Sequence, residues 1–396
     1  MKKFSFVVPT YQNKRLVKNT LASLNYQKGY GCDDYEVILV DDGSTDGTKE
    51  YIQGVNKNYD LKYLYLERSS DSCSGRARNK GWQEATGEII IFIDGDILVK
   101  EDYLQEIDRC MSMTENTLVI GTVIMLLEDT PYEMICDRDA FREKICHVTK
   151  FVQLLDPRYF LYYKFSYNEA NQFYPWLQVY GANLAVKKKW LYETGGFDEN
   201  LKKWGHEDIE LGYRMYEKGV KIVVSSKLEV FHQFQWTLSE ALAHRNTVGK
   251  SKANIDYLLE KHPNAIRAPK DAIYSYFRGL HAIDMAPKKN RFCKRTVLEF
   301  KNIKELENIK KIIVALSKEE GNEIIVKDFV EESDLDIWIQ LQEKSASIPR
   351  YYPMSKIVTY KKFMGYRMAI FNLKFLYGCL VRKAWTIKHG NSVTKK

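Results

Sequence analysis

At 396 residues the chain is long enough for two domains, or for one large domain with an extension. Its 45% hydrophobic and 28% charged residues, with 22 Gly and only 9 Pro, exclude a disordered, collagenous or low-complexity protein. The net charge of +8 is unevenly placed: Lys356 to Lys396 holds ten Lys or Arg and no Asp or Glu, so the other 355 residues form a body of net charge −2.

Phe4 to Val8 reads as a first strand, since the apolar stretch stops at Pro9 and is too short for a secretory signal. A helical pattern follows through Leu16, Val17, Leu21 and Leu24, then a buried strand from Tyr35 to Val40 closed by Asp41-Asp42-Gly43-Ser44. Lys62 to Leu66 and Glu88 to Ile93 predict further strands, with a helix over Arg76 to Ala85 between them. The unbroken Ile89-Ile90-Ile91-Phe92-Ile93 run suits a parallel strand buried on both faces, and the alternation predicts an α/β sheet. Ligands of such sheets bind beyond the carboxyl ends of the strands, where Asp41-Asp42 and Asp94-Gly95-Asp96 stand.

Nine aromatic residues fall between Tyr159 and Trp176, a sticky, partly polar segment with few turn formers. Val179 to Val186 reads as a strand, Gly195-Gly196-Phe197-Asp198-Glu199 as a glycine pair leading into an acidic helix start, and Lys221 to Phe231 as the end of the sheet. Beyond about Leu238 the pattern turns helical, with a β-α-β segment over Arg295 to Val330. In the tail, Arg367, Lys374, Arg382 and Lys388 share an arc of about 120° on a helical wheel, opposite an apolar face. That profile fits an interfacial helix on anionic lipid, and equally a helix packed on its own protein. No binding motif accompanies the charge, so nucleic acid is not an expected partner.

The longest apolar runs are about five residues, against about twenty for a membrane span. Seven cysteines, at positions 32, 73, 110, 136, 146, 293 and 379, show no paired spacing. A cytoplasmic protein is expected, peripherally attached to the inner face of the membrane if the tail binds lipid.

Asp94 and Asp96, two residues apart after a buried strand, repel unless a cation sits between them, which a hard divalent metal satisfies; a solvated turn or helix cap is the alternative. Four segments in order then carry a likeness: Phe6 to Asn13; Val40 to Thr48; Ala77-Arg78-Asn79-Lys80-Gly81 leading to Asp94-Gly95-Asp96; and Gly195 to Glu199 leading to Trp204-Gly205-His206-Glu207-Asp208. Over about residues 1 to 235 the chain resembles nucleotide-sugar-dependent glycosyltransferases of the GT-A fold, above all glycosyltransferase family 2, with a galactosyltransferase-like Trp-Gly-x-Glu-Asp segment.

The resemblance implies an α/β GT-A catalytic domain over 1–237, with a nucleotide-sugar half (1–100) and an acceptor half (101–237). A mainly helical α/β region (238–355) and a basic amphipathic tail (356–396) would follow. It implies that Pro9, Thr10 and Tyr11 line the nucleotide site, with Asp41 and with Asp42 accepting from a uracil-type N–H, and that Arg78 and Asn79 stand beside the base or phosphates. Asp94 and Gly95 would contact the sugar nucleotide, and Asp96 and His232 would hold Mn2+ or Mg2+ bridging the diphosphate of a UDP-sugar. Asp208 would be the base of an inverting transfer, Glu207 its neighbour on the acceptor or sugar hydroxyls, and Trp204 and Gly205 the acceptor side. Related retaining transferases carry a similar segment, so the stereochemistry stays open here, as does the acceptor: a polysaccharide, a lipid-linked sugar or a peptide. A nucleotidyltransferase would want a glycine-rich phosphate loop that Pro9 to Asn13 does not offer, and a silent sugar-binding module remains the alternative from another class.

Overall fold

The computed structural model describes residues 2–112, 115–126, 128–148, 158, 174–203, 205–233, 247–266, 270, 273–274, 294–316, 322–328 and 358–361. Its first hundred residues alternate as expected: β1 (Phe4–Thr10), α1 (Lys14–Leu24), β2 (Tyr35–Asp41), α2 (Thr48–Tyr51), β3 (Asp60–Tyr65), α3 (Ser74–Glu84) and β4 (Ile89–Ile93). The four strands are parallel in the order β3-β2-β1-β4. Every residue of β2 and β4 is buried because helices cover both faces. Side chains divide by alternation: Val7, Ile38, Val40, Ile90 and Phe92 join one core, while Phe6, Val8, Val37, Leu39 and Ile91 join the other. α1 buries Leu16, Val17, Leu21 and Leu24, the positions its 3.6-residue period marked.

The sheet continues through β5 (Ile97–Val99), α4 (Tyr103–Ser112), β6 (Thr117–Met125), α5 (Tyr132–Cys136), α6 (Arg138–Val148), β7 (Asn183–Lys187), α7 (Lys188–Thr194), α8 (Glu207–Glu217) and β8 (Lys221–His232). Beyond β4 the order is β7-β6-β8-β5, with β7 antiparallel to both its neighbours and β5 antiparallel to β8. Strands β4 and β5 are joined by Asp94-Gly95-Asp96 alone, a step from Ile93 to Ile97 of at most about 14 Å. Four flat strand spacings would need about 19 Å. The sheet therefore curls until β5 comes round to the end of β4. A bulge at Gly121, where the β6–β8 register shifts, assists this; a Cβ there would stand 1.8 Å from Leu228 O.

Two expectations change. The strand read over Val179 to Val186 begins only at Asn183: Pro175–Gln178 is a 3-10 turn, and Gly181 points its N–H at Asp208 instead of a ladder partner. No helix starts at Gly195 to Glu199, because Gly195 and Gly196 both take positive φ and terminate α7. The eight-stranded sheet does finish in chain order with β8, as expected, while its spatial edges are β3 and β5.

Further on lie α9 (Thr247–Lys261), β9 (Lys294–Phe300), α10 (Leu306–Leu316), β10 (Asn322–Asp328) and β11 (Val358–Lys361). β9, α10 and β10 are the expected β-α-β segment, within a parallel sheet ordered β11-β10-β9. Among the described residues no helix is long and apolar enough to cross a membrane. The aromatic stretch from Tyr159 to Phe173 and the basic tail, apart from 358–361, lie outside the described residues.

Candidate active site

Parallel pairing brings the carboxyl ends of β1, β2 and β4 together. Thr10 lies in register with Asp41, and a Cβ on Gly95 would stand 2.9 Å from Pro9 O, so glycine there lets two backbones touch. The two loops are laced: Asp42 N–H donates to Thr10 O at 2.9 Å, Gln12 N–H to Ser44 Oγ at 2.8 Å, and Lys14 N–H to Asp46 Oδ2 at 3.0 Å. Asp41 is buried and spent on the fold, accepting from Ser44 N–H at 2.8 Å and from Tyr63 OH at 2.6 Å. Asp42 faces the next loop, where Arg68 donates to it and Ser72 Oγ donates at 3.0 Å. Burial raises its pKa, while Ser72 and Arg68 work the other way. The Arg68 guanidinium also lies 4.0 Å over the ring of Tyr11, which is 46% exposed and leaves a flat surface at the mouth.

At the centre stands Arg78, 4% exposed on the inner face of α3. It donates to Asp94 Oδ1 and to Glu207 Oε1, each at 2.7 Å, and so joins the end of β4 to the start of α8. Burial opposes its charge, but Asp94, Glu207 and Asp208 outweigh burial and keep it protonated. A Cβ on Gly181 would meet this guanidinium at 2.9 Å. Asn79, beside it, is turned away from the mouth: its amide donates to Phe197 O at 2.9 Å and to Glu199 Oε1 at 2.8 Å, and accepts from Phe197 N–H and Trp82 Nε1–H. Its role here is to anchor the Gly195–Glu199 turn.

Glu207 Oε1 also accepts from Ser74 Oγ at 2.6 Å. Asp208 Oδ2 accepts from Gly181 N–H at 2.8 Å. Burial first, and the adjacent Glu207 second, push Asp208 up to about pKa 7, although Arg78 and the two backbone donors pull it down. The residues ahead of this pair are unusual: Gly205 and His206 both have φ near +80°, and burial lowers the His206 pKa to about 4, so its imidazole stays neutral. Trp204 lies outside the described residues.

Asp96 and His232 are brought together by the pairing of the neighbouring strands β5 and β8. β5 and β8 pair Ile97 with His232, leaving His232 Nε2 3.5 Å from Asp96 Oδ2. Among the described residues no three His, Cys, Asp or Glu converge on one point. One carboxylate and one imidazole suit a borderline cation such as Mn2+, whose other ligands would come from phosphate oxygens and water. Thr10 Oγ1, Arg78 Nε and Glu207 Oε2 are buried without a hydrogen-bond partner among the described residues, and all three belong to this region. Buried polar atoms in that condition have hydrogen-bonding capacity left for a polar ligand or for water.

The sequence reading missed Arg68, Ser72 and Ser74, which lie between β3 and α3, and Gly181. The first three sit beyond the carboxyl end of a parallel strand, where the positional rule for α/β sheets already points.

A family model described as Glycosyl transferase family 2 matches residues 5–191, and one described as the N-terminal domain of galactosyltransferase matches residues 163–235. Validoxylamine A glucosyltransferase of Streptomyces hygroscopicus subsp. jinggangensis is 26% identical over 269 residues, covering 66% of this chain and 61% of its own. Chondroitin synthase of Escherichia coli is 27% identical over 240 residues, covering 58% of this chain and 34% of its own. Among solved structures, Staphylococcus aureus TarS aligns over 80% of this chain and 48% of its own at 19% identity, with a TM-score of 0.47. The chain thus spans 61% and 34% of the lengths of these two curated relatives.

Proposed function

This chain belongs to glycosyltransferase family 2, and we propose that it moves a hexose or N-acetylhexosamine from a UDP-sugar to a hydroxyl of a glycan, with inversion and with Mn2+ or Mg2+ bound. The observation that carries the reading is the Arg78 bridge. One buried guanidinium ties the Asp94-Gly95-Asp96 turn to Glu207, with a carboxyl of pKa about 7 as the next residue. Relatives named for glucosyl transfer and for chondroitin synthesis support a sugar donor and a glycan acceptor, either a polysaccharide or a lipid-linked sugar.

In this reading Tyr11 stacks on the base and Asp42, exchanging its Ser72 or Arg68 partner, accepts from the base N–H. Arg78 holds Asp94 and Glu207 at fixed separation, so the sugar and the attacking hydroxyl meet already oriented. Asp208 removes the proton of the acceptor hydroxyl as its oxygen attacks the anomeric carbon opposite the diphosphate; a base with pKa near the working pH is both free to accept and strong enough to pull. Glu207, whose Oε2 is open to a ligand, orients a hydroxyl. Asp96 and His232 would hold the cation, which when bound neutralises charge developing on the leaving diphosphate. The Lys356–Lys396 tail is read as a contact to anionic lipid; its deletion should abolish sedimentation with phosphatidylserine liposomes, and unchanged sedimentation would remove that element.

The test is nucleoside diphosphate release from a panel of nucleotide sugars, with Mn2+ and with EDTA. One UDP-sugar should turn over only with metal, and both Asp96→Ala and Asp208→Asn should lose about 100-fold or more. No turnover and no binding of any donor would leave the silent binding module as the better account.

A further inference from the structure

Helix α9 begins beyond the last residue matched by either family model, yet it is fastened to the candidate active site. Asn254, 3% exposed, reaches the backbone on both sides of Trp204. Its Nδ2 donates to Lys203 O at 2.8 Å and to Gly205 O at 2.6 Å, and its Oδ1 accepts from Lys203 N–H at 3.3 Å. All three bonds end on main-chain atoms, so they fix the course of the chain and not the pose of a side chain. That course is costly to hold: Gly205 and His206 are consecutive left-handed residues, and a non-glycine residue stays there only where its surroundings over-determine it. The next two residues are Glu207 and Asp208.

We infer that Asn254 is a positioning residue for sugar transfer, clamping the backbone of Lys203 and Gly205 so that α8 starts with Glu207 against Arg78 and Ser74 and with Asp208 against Gly181. The inference rests on the roles given above to Glu207 and Asp208. Among the described residues, other polar ties of α9 and of the residue after it are made elsewhere: Tyr257 OH and Lys261 Nζ reach Asp198, Lys261 Nζ and His262 Nε2 reach Glu210, and Asp256 accepts from Tyr274 OH. They fasten the helix to the domain without touching the turn, which makes Tyr257→Phe a matched control on the same helix.

Asn254→Ala removes the clamp; Asn254→Asp keeps its size but turns an oxygen toward two carbonyls. Hydrogen exchange of the 205–208 amides should quicken about tenfold or more in both variants and not in Tyr257→Phe. UDP binding with Mn2+, followed by calorimetry, should stay within about twofold. The kcat for UDP release should fall about 10- to 100-fold with little change in donor KM, because misplacement of about 1 Å carries such a loss, and the acidic limb of its pH profile should move. Unchanged exchange in folded Asn254→Ala would overturn the inference, as would equal losses in Tyr257→Phe. Wild-type protein that releases UDP from no donor would instead take down the sugar-transfer reading, while the exchange comparison still decides whether Asn254 holds the turn.

Discussion

Asp208 titrates where a general base is useful, and two consequences follow. Its carboxyl is raised from 3.8 to about 7 by burial and by Glu207. Proton removal requires the carboxylate, so kcat should climb as pH rises through about 7 and level above it, with Asp208→Asn flat and about 100- to 10,000-fold lower. For stability the sign reverses: a folded pKa above the unfolded one means the native state binds the extra proton, so this group's contribution is most favourable below pH 4 and is lost as pH rises toward 7. Asp208→Asn should accordingly melt no lower than wild type at pH 8, and a large drop there would contradict the buried-carboxylate account. Gly181 supplies a second test. Alanine would press its Cβ to within 2.9 Å of the Arg78 guanidinium, so Gly181→Ala should fold with a loss of about 1–3 kcal/mol and lose about tenfold in turnover. At this scale the sequence was informative where a residue type announced its chemistry: Arg78, Asp94, Glu207 and Asp208 do lie together, as do Asp96 and His232. It was silent on which oxygens were already taken, and Asp41 and Asn79 prove to be bound up in the fold around the site.

Among the elements, α9 is the one whose importance composition did not foreshadow. Glu210 is fully buried, and its partners are Arg214 one turn on and Lys261 and His262 some fifty residues later. Ending the chain at residue 237, where the family likeness stops, would strand that carboxylate with Arg214 alone. The truncated protein, with two of these three partners of Glu210 removed, should be less stable, read as a lowered melting temperature or insoluble expression. An expected boundary at 237 thus runs through a buried ion cluster. Strands β1, β2 and β4 were legible because burial on both faces demands unbroken apolar runs. β7 was read four residues too long because the apolar alternation of Val179 to Val186 continues through a turn that only the contact between Gly181 and Asp208 reveals. Asn254 could not be read at all, since an inward amide on a helix looks like any other until its partner carbonyls are placed.

For the whole molecule, the α/β class and the ligand-bearing end of the sheet were both written in the alternation of elements and the acidic residues that close β2 and β4. The antiparallel β7 and the return of β5 to the end of β4 were not, because strand order is decided by which faces pack and not by local propensity. That return gives the Asp94-Gly95-Asp96 link a mechanical meaning. It is the short tether across the gap that an eight-stranded sheet closes by bending, with Asp94 next to the end of β4 and Asp96 next to the start of β5. The span from Asp94 to Asp96 is thereby tied to the curvature of the sheet, whereas Asp96 and His232 are held by the direct pairing of β5 with β8. A change that flattens the sheet, such as filling the bulge at Gly121, would pull on that tether from a distance.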